Sequence, residues 1–142
     1  MRLRQFLIGL VCFLPLVFYS RQVLQGDDAE FPWRVGAATA EMVAEDKMVI
    51  GGGISPATLA GQEGKLQATA TVIDGQTRLC LVGVDMLMMH RDYLDQAAHE
   101  IELACDIPFE NILINASHTH HAPSTVTVHG YERDEEFCQR TV

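Results

Sequence analysis

Residues 79–116 read LCLVGVDMLMMHRDYLDQAAHEIELACDIPFENILINA, and the order of patterns inside them decides the fold. The opening run, Leu79 to Val84, is apolar and partly β-branched, and it ends at Asp85. The period then changes. Leu94, Ala97, Ala98, Ile101, Ala104 and Cys105 recur at i, i+3, i+4 and i+7 spacing, with Asp95, Gln96, His99, Glu100 and Glu102 on the other face. That is an amphipathic helix over Asp92 to Cys105. Pro108 breaks it, and Asn111 to Ala116 (NILINA) is a short apolar strand. Strand, helix and strand in this order make a β-α-β unit with parallel strands and a right-handed connection. Ligands bind beyond the carboxyl ends of such strands. Asp85 sits at one of those ends, and Ser117-His118-Thr119-His120-His121 sits at the other.

Working outward, Leu66 to Ile73 (LQATATVI) and Thr77 to Val84 (TRLCLVGV) are two strand patterns joined by Asp74-Gly75-Gln76. A short Gly-containing connection of this kind predicts a β-hairpin. The second run is apolar on both faces toward its end, as for a strand covered on both sides. Before it, Phe31 to Ala40 opens the body with a short strand around Val35 to Ala38, and Met48-Val49-Ile50 runs into Gly51-Gly52-Gly53. No Lys or helix start follows the glycines at phosphate-loop spacing. They therefore read as a plain loop or as the lining of an active-site mouth. After the histidines, Glu132 to Val142 begins a helix with acids first. Phe137 and Cys138 start its apolar face, and no tail or helix cap follows. The chain is accordingly expected to stop within an element and to be a fragment. The fold class that results is α/β: a mixed sheet with a β-hairpin followed by a right-handed β-α-β unit, part of a larger layered domain.

Composition bounds the function. The chain has 142 residues, 48 % hydrophobic and 20 % charged, which excludes wholesale disorder and suits one domain. Arg2 and Arg4 precede an uncharged apolar run, Phe6 to Tyr19 (FLIGLVCFLPLVFY). It is shorter than the roughly 20 residues that a crossing helix wants, and it fits a secretory signal over residues 1–26, with an uncleaved anchor as the alternative. The body, residues 31–142, is then extracytoplasmic, and any membrane association runs through that apolar segment. The net charge is −9, with 10 basic and 19 acidic residues. Removing Arg2, Arg4 and Arg21 leaves 7 basic against 19 acidic residues after Gly26. Such a body repels phosphate backbones, so no nucleic-acid partner is expected. Cys80, Cys105 and Cys138 are an odd count in the body, open to one disulfide plus a thiol or to three thiols; Cys80 and Cys105 read as core thiols.

The chemistry lies in the histidines. His118 and His120 are two residues apart. If the strand runs through them, both point to one face with Cα atoms roughly 6.6 Å apart. Two such imidazoles can share a metal ion, or one can bind metal while the other meets substrate. Zinc suits imidazole, and a catalytic zinc needs about three protein ligands and a water. His121 follows His120 directly, so the His-X-His-X-Asp-His spacing of metallo-β-lactamase-like sites fails, and the earlier strands make a first-strand barrel motif awkward.

The longer string Asn115-Ala116-Ser117-His118-Thr119-His120-His121-Ala122-Pro123 resembles the Thr-His-Thr-His-Ser-Gly-Pro signature of neutral (non-lysosomal) ceramidases. Val82-Gly83-Val84-Asp85-Met86-Leu87 with Arg91-Asp92-Tyr93-Leu94 is similar to that family's strand–Asp–helix segment, and Val35-Gly36 and the Met48–Gly53 run also fit its amino-terminal region. The resemblance covers roughly Phe31 to Val142, the first part of a much longer catalytic domain. It implies a zinc-dependent hydrolase of an amide bond, in ceramide, a related lipid or another small amide, with one zinc ion. Position by position, His118 matches the zinc ligand, and His120 matches the second His, which supports substrate or the developing oxyanion. His121 and Ala122 replace the family's Ser and Gly. The family's other ligands (a His, a Glu and a Tyr) lie far downstream, so this chain would hold half a site; His90, His99 and His129 are poor substitutes. Asp85 either orients a His or caps the next segment. The alternative is a non-catalytic exported binding protein, or a pseudo-enzyme, that keeps the His cluster.

Overall fold

A computed structural model describes residues 33–58 and 61–142 of the chain. The expected signal segment, residues 1–26, and Phe31 and Pro32 lie outside the described residues. Four strands form one sheet in chain order: β1 (Arg34–Met42), β2 (Leu66–Asp74), β3 (Arg78–Val84) and β4 (Ile112–Ala116). β1 and β2 are antiparallel, as are β2 and β3, whereas β3 and β4 are parallel. Helix α1 (Arg91–Cys105) crosses from β3 to β4, and a short helix α2 (Glu135–Arg140) follows the sheet. The mixed sheet with its hairpin and β-α-β unit is the architecture expected from residues 66–116.

Boundaries shift for local reasons. β1 runs nine residues, longer than the Val35–Ala38 core of the expected strand, because it pairs with β2 from Arg34↔Asp74 to Met42↔Leu66. The hairpin turn is Gly75 to Thr77, one residue later than expected, since Asp74 and Arg78 pair as the last rung. Asp74 binds the guanidinium groups of Arg34 (2.6 Å) and Arg78 (3.4 Å), which ties three strands at one end. The Trp33 ring lies over the turn: a Cβ added at Gly75 would stand 2.8 Å from Trp33 Cε3, so a larger residue there would displace the ring.

The sheet buries one face. Ala40, Met42, Leu66, Ala68, Ala70, Cys80, Val82 and Val84 point into the core, where Ile101 of α1, Ile107 and Phe137 of α2 join them. On the other face Val35, Leu79, Leu81 and Leu113 are exposed. The expectation that β3 is covered on both sides therefore fails among the described residues. Its odd-numbered leucines make the strand read as two-sided, but only its even-numbered side meets a second layer. Of the cysteines, Cys80 and Cys138 are buried free thiols. Cys105 packs half-buried at the core's margin.

Helix α1 ends earlier than Pro108 requires. Asp106 adopts a left-handed conformation (φ 53°) and donates its backbone N–H to the Glu102 carbonyl at 3.0 Å, a C-terminal stop usually made by glycine or asparagine. Glu102 reinforces it. One carboxylate oxygen accepts from the Phe109 N–H (3.1 Å), the other pairs with His99 Nδ1 (3.1 Å), and the His99 ring stacks on Phe109 with centroids 4.5 Å apart. The His99 hydrogen bond, and then the Phe109 N–H, hold the Glu102 carboxyl below its ordinary 4.5. A depressed carboxyl favours folding in its charged form. The contribution is thus complete above pH 4.5 and is lost as pH falls through the folded-state value. The thermal midpoint of Glu102→Gln should lie below that of the parent at pH 7, and the gap should close as the pH is taken below 4. A gap that stays constant across that range would contradict the assignment.

Helix α2 begins on Asp134, whose carboxylate accepts from the Phe137 N–H at 2.8 Å, a standard N-terminal cap. The Thr141 hydroxyl donates to the Cys138 carbonyl at 2.8 Å across the last turn. No helix among the described residues is long and apolar enough to cross a membrane.

Candidate functional site

The site grows from the carboxyl ends of β3 and β4. Their last pair is Val84↔Ala116, and the Ser117 N–H donates to the Val84 carbonyl at 2.9 Å. Asp85 and the His cluster therefore leave the same sheet edge, as the β-α-β reading requires. Asp85 turns away from the histidines. Its carboxylate accepts from the Gln67 N–H (3.0 Å) while its own N–H donates to the Gln67 carbonyl (2.9 Å). It caps the sheet and orients no imidazole.

The strand does not continue through the histidines. It stops at Ala116, and His118 takes a left-handed conformation with φ 64°. Such a φ is uncommon outside glycine, although His is among the residues that adopt it more often. The turn still brings the two rings together. The His118 and His120 centroids are 5.2 Å apart with planes 78° to each other, edge to face. His118 is fixed at its inner nitrogen, where Nδ1 lies 2.8 Å from the Leu87 carbonyl. A carbonyl can only accept, so Nδ1 carries the proton and the lone pair sits on Nε2. This is how a metal-binding imidazole is commonly set by its second hydrogen bond. The same loop after β3 is pinned again by the Thr125 hydroxyl, which donates to the Met88 carbonyl.

A second wall comes from the glycine run. Residues 49–51 lie antiparallel to 122–124: Ile50 bridges Pro123, Gly51 N–H donates to the Ala122 carbonyl (2.9 Å), and Ser124 N–H to the Val49 carbonyl (2.7 Å). Gly52, at φ 91°, is brought under the His120 ring. A Cβ there would stand 2.7 Å from His120 Cγ and closer still to Nδ1. Only glycine permits both the backbone angle and the approach. The glycine run thus lies beside His120 through Gly52.

Other histidines stay apart. His99 belongs to the Glu102 clamp, His90 is the residue before α1, and His129 occupies a turn with φ 51°. His121 is exposed beside the pair. Among the described residues no group of three or more His, Cys, Asp or Glu side chains converges to hold a metal ion. The donor set fits zinc in kind, two imidazoles with one lone pair presented, but supplies fewer protein ligands than a catalytic zinc takes. A polar cleft lies elsewhere, lined by Asp92, Tyr93, Gln96, Glu136, Gln139 and Arg140 between α1 and α2. Sequence reasoning missed Tyr131, which is buried and whose hydroxyl touches the glycine loop. The His129-Gly130 pair before it is a turn signal that could have placed it.

No family model and no curated protein sequence matches the chain. Solved structures do. About two thirds of the chain has the fold of a portion of the neutral ceramidases. The crystal structure of neutral ceramidase from Pseudomonas aeruginosa matches with a TM-score of 0.58 and 24 % identity, over 68 % of this chain and 16 % of that one. A structure described as ceramidase complexed with C2 matches with a TM-score of 0.57 and 24 % identity, over 67 % and 16 %. The likeness is one of fold, and the chain spans about 16 % of the length of these structures.

Proposed function

We propose that this chain supplies the metal-side half of an amide hydrolase site of the ceramidase type, acting on a lipid or other small amide. The observation that carries the reading is the His118–His120 pair, set edge to face at the sheet's carboxyl edge within a ceramidase-like fold. In this reading His118 holds one zinc ion through Nε2, the atom left free by the Leu87 carbonyl. Bound zinc would supply Lewis acidity toward the amide carbonyl and lower the pKa of a water. His120 would donate to oxygen where negative charge develops. The rest of the ligand set would come from a longer polypeptide. The apolar Phe6–Tyr19 run, with Arg2 and Arg4 before it, supports an extracytoplasmic location.

One observation favours the second reading, an exported binding protein or pseudo-enzyme: among the described residues the donors number fewer than three. Zinc titration of the whole chain, followed by hydrolysis of a fluorogenic short-chain N-acyl lipid, separates the two. We expect zinc binding that His118→Ala weakens by about tenfold or more, since even loss of an outer partner costs about that much. Zinc affinity equal in parent and mutant would sink the zinc role of His118. Zinc bound at His118 without any hydrolysis would favour the binding protein.

A further inference from the structure

We infer that Tyr131 is a positioning residue for His120, acting through the glycine loop rather than by touching substrate. The Tyr131 hydroxyl accepts from the Gly52 N–H at 2.9 Å and donates to the Gly53 carbonyl at 3.2 Å. One side-chain oxygen thus ties the N–H of the Gly51–Gly52 peptide to the carbonyl of the Gly53–Ile54 peptide, bracketing the loop beside the imidazole. Tyr131 itself cannot wander: it is 4 % exposed. It is delivered by a tight two-residue turn, His129 (φ 51°) and Gly130 (φ 80°). The turn is closed by paired hydrogen bonds between Val128 and Tyr131 of 3.1 Å each. Two left-handed residues in such a turn match the twist of the strands that they join.

The path to His120 is short. Gly52 sits against His120 Nδ1 and Cγ, so any movement of the loop is felt by the ring. The other side of the pair is already fixed, because His118 is tied to the Leu87 carbonyl. Among the described residues no hydrogen bond anchors the His120 ring in the same manner. Its orientation is set by what it rests on: the His118 ring on one side and the Gly52 backbone on the other. Removing the Tyr131 hydroxyl leaves the Gly52 N–H and the Gly53 carbonyl without that partner, and beyond the Gly51–Ala122 hydrogen bond these two glycines have little stiffness of their own. Loop movement would then free the imidazole. The significance of that rests on the reading of His120 as a working residue, but the geometry does not.

The test therefore reads the ring directly. The metal-free whole chain is labelled with 13C-histidine, and the Cε1–H correlations are compared in the parent, Tyr131→Phe and Gly52→Ala. His120→Gln assigns the signal. Tyr93→Phe, which removes a surface hydroxyl bound to Glu135, is the control. We expect the His120 signal to shift or broaden in both Tyr131→Phe and Gly52→Ala, with His90 and His99 unmoved, and to hold still in Tyr93→Phe. A purely structural tyrosine would lower the thermal midpoint and leave the His120 signal in place; that outcome overturns the inference. So does movement in Gly52→Ala alone, which would show that the loop needs no hydroxyl to hold it. Absence of amide hydrolysis would fault the functional reading and leave this result standing.

Discussion

Phe137→Ala is expected to remove about 3–5 kcal/mol of stability, the usual range for deleting a buried phenylalanine. Phe137 is completely buried in the core cluster, although α2, which carries it, is only six residues long. So short a helix has little stability of its own. What holds α2 is the Asp134 cap and this ring. The loss is a large share of the roughly 5–15 kcal/mol that folds a typical domain, and removing the ring leaves a cavity in the core cluster. Urea unfolding measures it, with an unchanged slope showing that the mutation acts on stability alone. Leu103→Ala, at an 86 % exposed site on α1, should change stability by less than about 0.5 kcal/mol. A loss below about 1 kcal/mol at Phe137 would mean that α2 is not part of the core.

Gly52→Val should be the most damaging substitution near the site. Two costs coincide. The φ of 91° is one that β-branched side chains essentially never adopt, and holding a residue in such a region costs about 1–3 kcal/mol. The new Cβ also comes too close to the His120 ring, so either the ring or the loop must move. The expected result is a stability loss of at least about 2 kcal/mol by urea unfolding, together with weaker zinc binding than in the parent. Gly64→Val is the comparison: a Cβ there meets nothing and its φ is ordinary. If the two variants unfold alike, the close approach at Gly52 carries no energetic consequence.

Much of this architecture is legible in the residues because period and turn chemistry agree. Gly75 marks the hairpin, the 3.6-residue pattern of Leu94 to Cys105 marks α1, and the apolar NILINA run marks β4. Their order forces parallel pairing and sets Asp85 and His118 at one edge. Three features were not legible. Leu79 and Leu81 alternate with Cys80 and Val82, and a strand apolar on both sides does not say whether a second layer exists. His118 carries no sign of its left-handed backbone, so straight-strand geometry gave the right neighbours by the wrong path. Asp85 has the type and position of a histidine's partner, yet the Gln67 backbone claims it. Short side chains at strand ends often serve the nearest unpaired peptide group, and no spacing rule reveals which.

The sheet's strand order repeats the order of the chain, β1-β2-β3-β4, and this has a kinetic meaning. Each strand pairs with its neighbour in sequence, so no loop must close around a strand that arrives later. The hairpin of β2 and β3, joined by Gly75 to Thr77, has the shortest loop and the smallest closure entropy. Hairpins of this kind form in microseconds. β1 must close residues 43–65 and β4 residues 85–111 before either gains its rungs. The histidine edge depends on β4 being seated beside β3, and the glycine wall depends on residues 122–124 being seated after that. The chemistry-bearing corner consequently takes its shape only after a long closure has seated β4, and it depends on β4 staying seated.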